Sequence, residues 1–128
     1  MQNSVVDLAI RIKNGYLAKK EEIVAPYAKF TEEVLKKLKS LGYVGDYKVE
    51  GEGVKNILIT LIYKKDESPF TDVAIFSKPG RRYYVSYRDL KPVMSGFGHS
   101  IISTPAGILT DKEAKLKKTG GELLFNIW

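Results

Sequence analysis

The sequence predicts an α+β fold in two parts, and three observations carry that prediction. Two segments with helical spacing of apolar residues lie near the start and alternate with short strand-like runs. A charged stretch ending in proline, Asp66 to Pro69, then interrupts the pattern. Beyond it the chain reads mostly as short strands. The expected parts are an α/β segment over residues 1–65, ordered helix, strand, helix, strand, strand, and a mostly β segment over 70–128 with short helices.

The first helix is expected from Ser4 to about Ala18. Val5, Leu8, Ala9, Ile12 and Tyr16 recur on one face. Ser4 with Asp7 reads as a cap and a first-turn carboxylate. Gly15 weakens the helix near its end. Ile23-Val24-Ala25 is a short strand closed by Pro26. The second helix runs from about Ala28 to Leu41, with Phe30, Val34, Leu35, Leu38 and Leu41 as its apolar face. Glu32 and Glu33 stand four residues before Lys36 and Lys37 and support it. Gly42 supplies a left-handed stop.

Tyr43 to Glu50 and Asn56 to Lys64 are the next strands, joined by Gly51-Glu52-Gly53. The second is apolar at nearly every position, so it should be covered on both sides or lie centrally. In the later part, strands are expected at Val73 to Phe76, Tyr83 to Tyr87, Ser100 to Thr104, Ile108 to Thr110 and Glu122 to Trp128. Pro79-Gly80 marks a turn and Ser95-Gly96-Phe97-Gly98 a flexible loop.

Composition bounds what such a fold can do. The chain has 128 residues, 44% hydrophobic, which is enough for a packed core. Its formal net charge is +6, which favours a polyanionic partner. That charge is spread evenly: 11 basic against 8 acidic residues over 1–64, and 10 against 7 over 65–128. A basic binding surface must therefore be assembled by folding, since no basic tail provides it. The absence of cysteine excludes a disulfide framework, thiolate-bound zinc and thiol catalysis. No apolar run approaches the ~20 residues of a membrane span. The N-terminus lacks the long apolar core and cleavage site of a secretory signal, so a cytoplasmic protein is expected.

Catalytic chemistry finds little support. His99 is the single histidine and has no partner carboxylate beside it in sequence. Asp111 and Glu113 read as a cap and a first-turn residue of a short helix rather than as an acid–base pair. Gly51-Glu52-Gly53 does not lead into a helix, so it is not a phosphate loop. Neither a cofactor nor a metal is expected.

Basic and aromatic positions say more. Lys78, Arg81, Arg82 and Arg88 cluster with Tyr83, Tyr84 and Tyr87. Arginine holds phosphate, and tyrosine stacks on bases or bonds to sugar and phosphate oxygens. Strand alternation places Tyr83, Val85 and Tyr87 on one face and Tyr84 on the other, and Tyr84 is the one expected in solvent. Ser103-Thr104-Pro105-Ala106-Gly107 combines short hydroxyls with small residues. It fits a loop that approaches a nucleic-acid backbone, and equally a tight turn between strands.

The chain resembles the bacterial-type family of the eighth small-subunit ribosomal protein. The matching points, in order, are Arg11-Ile12-Lys13-Asn14, Pro26 leading to Lys29-Phe30, Gly42-Tyr43, Ser77-Lys78-Pro79-Gly80 with Arg82 and Tyr84, and Gly96-x-Gly98. They continue through Ser103-Thr104, Gly107 to Asp111, Ala114 and Gly120-Gly121-Glu122. The resemblance implies a two-part fold without enzymatic activity, bound to a central-domain hairpin of small-subunit ribosomal RNA. It implies a role in early subunit assembly, a cytoplasmic location in the small subunit, and repression of the protein's own operon mRNA as a further activity. The fifth and twelfth small-subunit proteins are the implied neighbours. The implied RNA-binding residues are Ser103, Thr104, Pro105, Ala106 and Gly107, with Tyr84, Arg82, Gly121 and Glu122, joined by Arg11, Lys13, Asn14 and Lys29. Where the family loop reads Ser-Thr-Ser-Lys-Gly, this chain has Pro105 and Ala106, losing one hydroxyl and one positive charge. The alternative class is a protein–protein interaction module with an incidental basic surface. At this level Ser103→Ala and Glu122→Ala are both expected to weaken RNA binding with little effect on melting.

Overall fold

The computed structural model describes residues 2–65 and 67–128, and the side chains of all of these but 2–4. Asp66 and the side chain of Ser4, where a break and a cap were expected, lie outside the described residues. The chain separates into two compact units, Asn3–Phe70 and Thr71–Trp128. Among the described residues, three α-helices and two antiparallel sheets make it an α+β protein. No helix among the described residues is long and apolar enough to cross a membrane.

The N-terminal unit contains α1 (Gln2–Leu17), β1 (Glu22–Pro26), α2 (Lys29–Ser40), β2 (Tyr47–Glu50) and β3 (Asn56–Thr60). Its sheet has the order β1-β3-β2. The five apolar positions of α1 expected from spacing are all buried, as are Val34, Leu35 and Leu38 of α2. Phe30 and Leu41 are only half-buried. A Cβ on Gly15 would stand 2.6 Å from the Ile23 side chain and 2.9 Å from Leu61. This glycine therefore admits the close approach of α1 to the sheet, at the cost to helix propensity noted above. Gly42 (φ +85°) turns the chain out of α2 as expected.

Two strands are shorter than expected, for identifiable reasons. Tyr43 and Val44 are buried but belong to the turn after α2, and the strand begins only at Tyr47. The expected Asn56–Lys64 strand ends at Thr60 because its hydrogen bonds then leave the ladder. The Leu61 N–H donates to the Glu21 carbonyl at 2.8 Å and the Ile62 N–H to the Tyr16 hydroxyl at 3.3 Å. β3 is central, as its apolar run suggested, with Ile57 and Ile59 fully buried.

The C-terminal unit contains β4 (Val73–Ile75), β5 (Tyr84–Val85), β6 (His99–Thr104), β7 (Gly107–Thr110), α3 (Asp111–Lys117) and β8 (Gly121–Ile127). β8 is central: β6 pairs along one edge, and β4 and β5 along the other. That position accounts for its apolar character. Leu90, Ile102, Leu109, Ala114 and Leu123 form a core here, against which Val85 and Tyr87 pack. The strand expected over Tyr83–Tyr87 is reduced to Tyr84–Val85. Ser86 instead caps a 3-10 turn over Tyr87–Asp89, its hydroxyl accepting from the Arg88 N–H at 3.3 Å.

Candidate nucleic-acid interface

Strand register aligns the main candidates of the C-terminal unit. Tyr84 on β5 lies opposite Glu122 on β8, which lies opposite Ser103 on β6, which lies opposite Ile108 on β7. Directly opposed residues in an antiparallel ladder point to the same face. The rows on either side, Leu123 with Ile102 and Leu109 and, beyond it, Val85 opposite Gly121, contribute Val85, Leu123, Ile102 and Leu109 to the core. The Tyr84–Glu122–Ser103 row therefore lies on the opposite face. Tyr84 is 71% exposed there, as alternation suggested. Tyr83 is partly exposed as well, its ring tilted against Phe76 at 5.3 Å.

The hydroxyl-rich segment is a tight hairpin tip between β6 and β7. Thr104 pairs with Gly107 across the β6–β7 turn, and Gly107 takes φ +109°. The Thr104 hydroxyl donates to the Gly107 carbonyl at 2.8 Å and accepts from the Ala106 N–H at 3.1 Å. Its proton is committed within the turn, leaving one lone pair to offer outward. Pro105 and Ala106 are exposed at the tip. Ser103 is half-buried, and its hydroxyl has no protein partner among the described residues.

Glu122 corrects a sequence-based expectation. It is only 8% exposed, so its removal should affect folding as well as any contact it makes. Its Oε2 accepts a hydrogen bond from the Ser77 hydroxyl and lies 3.7 Å from Arg82 Nη1. The Tyr83 N–H donates to the same Ser77 oxygen at 3.3 Å. Gly121 acquires a structural role. A Cβ there would overlap the Ser103 carbonyl oxygen and lie 3.0 Å from the carbonyl carbon. Gly120 is similarly crowded, 3.0 Å from Ser86 Cα. Ser77 belongs to the family-like Ser77-Lys78-Pro79-Gly80 motif, and only its buried bond to Glu122 brings it into this cluster.

The N-terminal candidates are described within their own unit. Arg11 and Asn14 line a groove of about 520 Å³ with Lys20 and Val24. Arg11 is already engaged: its Nε donates to Asp7 at 2.7 Å and its Nη1 to the Val24 carbonyl at 2.9 Å. Lys13 is half-buried, and Asn14 and Lys29 are exposed. Lys29 is the first residue of α2, where the helix dipole disfavours a cation. It does not line the Arg11 groove.

The helix cap is also corrected. Thr110, not Asp111, caps α3: its hydroxyl accepts from the Glu113 N–H at 3.2 Å, and Glu113 accepts from the Thr110 N–H at 3.0 Å. Asp111 is buried and accepts from the Ser100 N–H at 3.3 Å. Burial pushes the nearby His99 imidazole below its ordinary pKa, with Asp111 pulling the other way. A depressed folded-state pKa means that protonation favours the unfolded chain. The stability tied to neutral His99 is present above its unfolded value of about 6.5 and is lost as pH falls through the lower folded value. Thermal melts should show the parent losing more Tm than His99→Gln between about pH 7 and pH 5. Parallel curves would show that His99 contributes no such dependence.

Ser103, the exposed Tyr84 and the Arg82–Glu122 pair thus lie close together in the C-terminal unit. Comparison with known proteins gives the family. Residues 3–128 match the family model described as Ribosomal protein S8. "Small ribosomal subunit protein uS8" of Dictyoglomus thermophilum is 42% identical over 125 residues, covering 97% of this chain and 95% of the relative. The protein of the same name from Rubrobacter xylanophilus is 41% identical over 130 residues, covering 100% and 98%. That from Mycoplasma mobile is 40% identical over 125 residues, covering 97% and 94%. The chain belongs to the ribosomal protein S8 family.

Proposed function

We propose that this chain is a non-catalytic constituent of the small ribosomal subunit that binds a central-domain hairpin of its ribosomal RNA. The observation that carries this reading is the strand register that aligns Tyr84, Glu122 and the Ser103–Gly107 hairpin, with Arg82 paired to Glu122. Regular RNA helices hide their base edges, so specificity falls to an irregular stretch with splayed bases. Tyr84 offers a stacking surface there, and Ser103 a free hydroxyl. Arg82 and Lys29 supply phosphate contacts. Thr104 contributes mainly by shaping the hairpin, which keeps a tight turn despite Pro105 and Ala106. Proline's restricted φ suits such a turn and lowers the entropy lost on ordering it. In this reading the protein acts in the cytoplasm during subunit assembly. The fifth and twelfth small-subunit proteins are its neighbours, and a similar hairpin in its own operon mRNA is a second target.

Footprinting on small-subunit ribosomal RNA tests the proposal. A compact protected hairpin is expected; diffuse or absent protection overturns it. Ser103→Ala should weaken the complex by about 0.5–1.5 kcal/mol, the net value of one hydrogen bond, with Tm unchanged. Lys29→Ala should weaken binding and lower the slope of log affinity against log salt by about one.

A further inference from the structure

Ser77 stands at the foot of the Lys78–Arg81 turn, 2% exposed, and is not among the contact residues above. Its backbone is held by β8: the N–H groups of Phe76 and Ser77 both donate to the Leu124 carbonyl, at 3.1 and 3.2 Å. Its hydroxyl accepts from the Tyr83 N–H and donates to Glu122, whose carboxylate lies beside Arg82. Serine suits this place because one small group must act as both donor and acceptor in a buried site. The Arg82 side chain remains 35% exposed, with its Nη1 3.7 Å from Glu122 Oε2.

We infer that Ser77 is a positioning residue for RNA recognition: its hydroxyl fixes Glu122, and Glu122 holds Arg82 ready for a phosphate. This rests on the RNA-binding reading above. An arginine held in place before binding loses less rotamer freedom when it takes up its ligand. Ser77→Ala should still fold, because the two N–H bonds to Leu124 and the paired bonds between Lys78 and Arg81 do not involve the hydroxyl.

The test has two arms. In the free protein, nitrogen-15 relaxation should show the Arg82 Nε–H and the Tyr83 amide becoming mobile in Ser77→Ala, while the β8 amides stay rigid. Unchanged order at Arg82 overturns the inference. In the second arm, the full-length parent, Ser77→Ala, Arg82→Ala and the double variant are titrated with a central-domain ribosomal RNA fragment. Arg82→Ala should weaken binding by roughly tenfold or more, as for a lost charge-assisted hydrogen bond. Ser77→Ala should cost a smaller factor, and the double variant no more than Arg82→Ala alone. Multiplying factors would mark Ser77 as merely structural and overturn the inference, leaving the RNA-binding reading intact. A parent that forms no specific complex sinks that reading, and the recognition role of Ser77 with it.

Discussion

Gly121→Ala is expected to destabilise the C-terminal unit by about 1–3 kcal/mol or more, the cost of forcing atoms into a packed site. The new Cβ would overlap the Ser103 carbonyl oxygen and come within 3.1 Å of Thr104 Cα. Both belong to the backbone of β6, so no flexible side chain can move aside. β6 and β8 would have to separate where Ser103 pairs with Glu122. The damage should thus extend to the hairpin and the Tyr84 row, and RNA affinity should fall with stability. Gly80→Ala is the control, because nothing lies within 4 Å of its added Cβ and its φ is not positive. It should remain within about 0.5 kcal/mol of the parent. Urea denaturation of both variants checks the pair, and equal midpoints would refute the close-approach argument.

The second large effect is expected at Glu122. Glu122→Ala strands the buried Ser77 hydroxyl and should cost about 1–3 kcal/mol of stability. It also releases Arg82. Glu122→Gln separates the two consequences, because the amide keeps an acceptor for Ser77 and nearly the same volume but lacks the charge that attracts Arg82. The glutamine variant should melt close to the parent yet bind RNA more weakly. Thermal melts and RNA titrations of both variants provide the check. If Glu122→Ala melts like the parent, the carboxylate is not integrated into the fold as described.

Residues whose roles depend on local periodicity were legible in the sequence. Helical spacing identified Val5, Leu8, Ala9, Ile12 and Tyr16, and all five are buried. Alternation by two picked out Tyr84, which is the most exposed, though Tyr83 on the other face is 44% exposed as well. Strand ends were less legible, because a strand stops where its hydrogen-bond partner does. Thr60 ends β3 as the following N–H groups turn to Glu21 and Tyr16, more than thirty residues earlier in the chain. The cap of α3 was misplaced by one residue. Thr and Asp both suit a cap, and only the reciprocal bonds with Glu113 distinguish them.

By itself the sequence determined the α+β class, the helices, the surface placement of Tyr84, the hairpin residues and, through its ordered motifs, the family resemblance. These follow from spacing along the chain, which a linear text records. Only the tertiary structure decided what Glu122, Gly121, Thr104 and Ser77 do. Glu122 is buried and accepts a hydrogen bond from a serine 45 residues away. Gly121 is required by the backbone of a neighbouring strand. Thr104 has committed its proton within its own turn. Each outcome depends on which atoms folding brings within hydrogen-bond or contact distance, and residue type alone does not encode that.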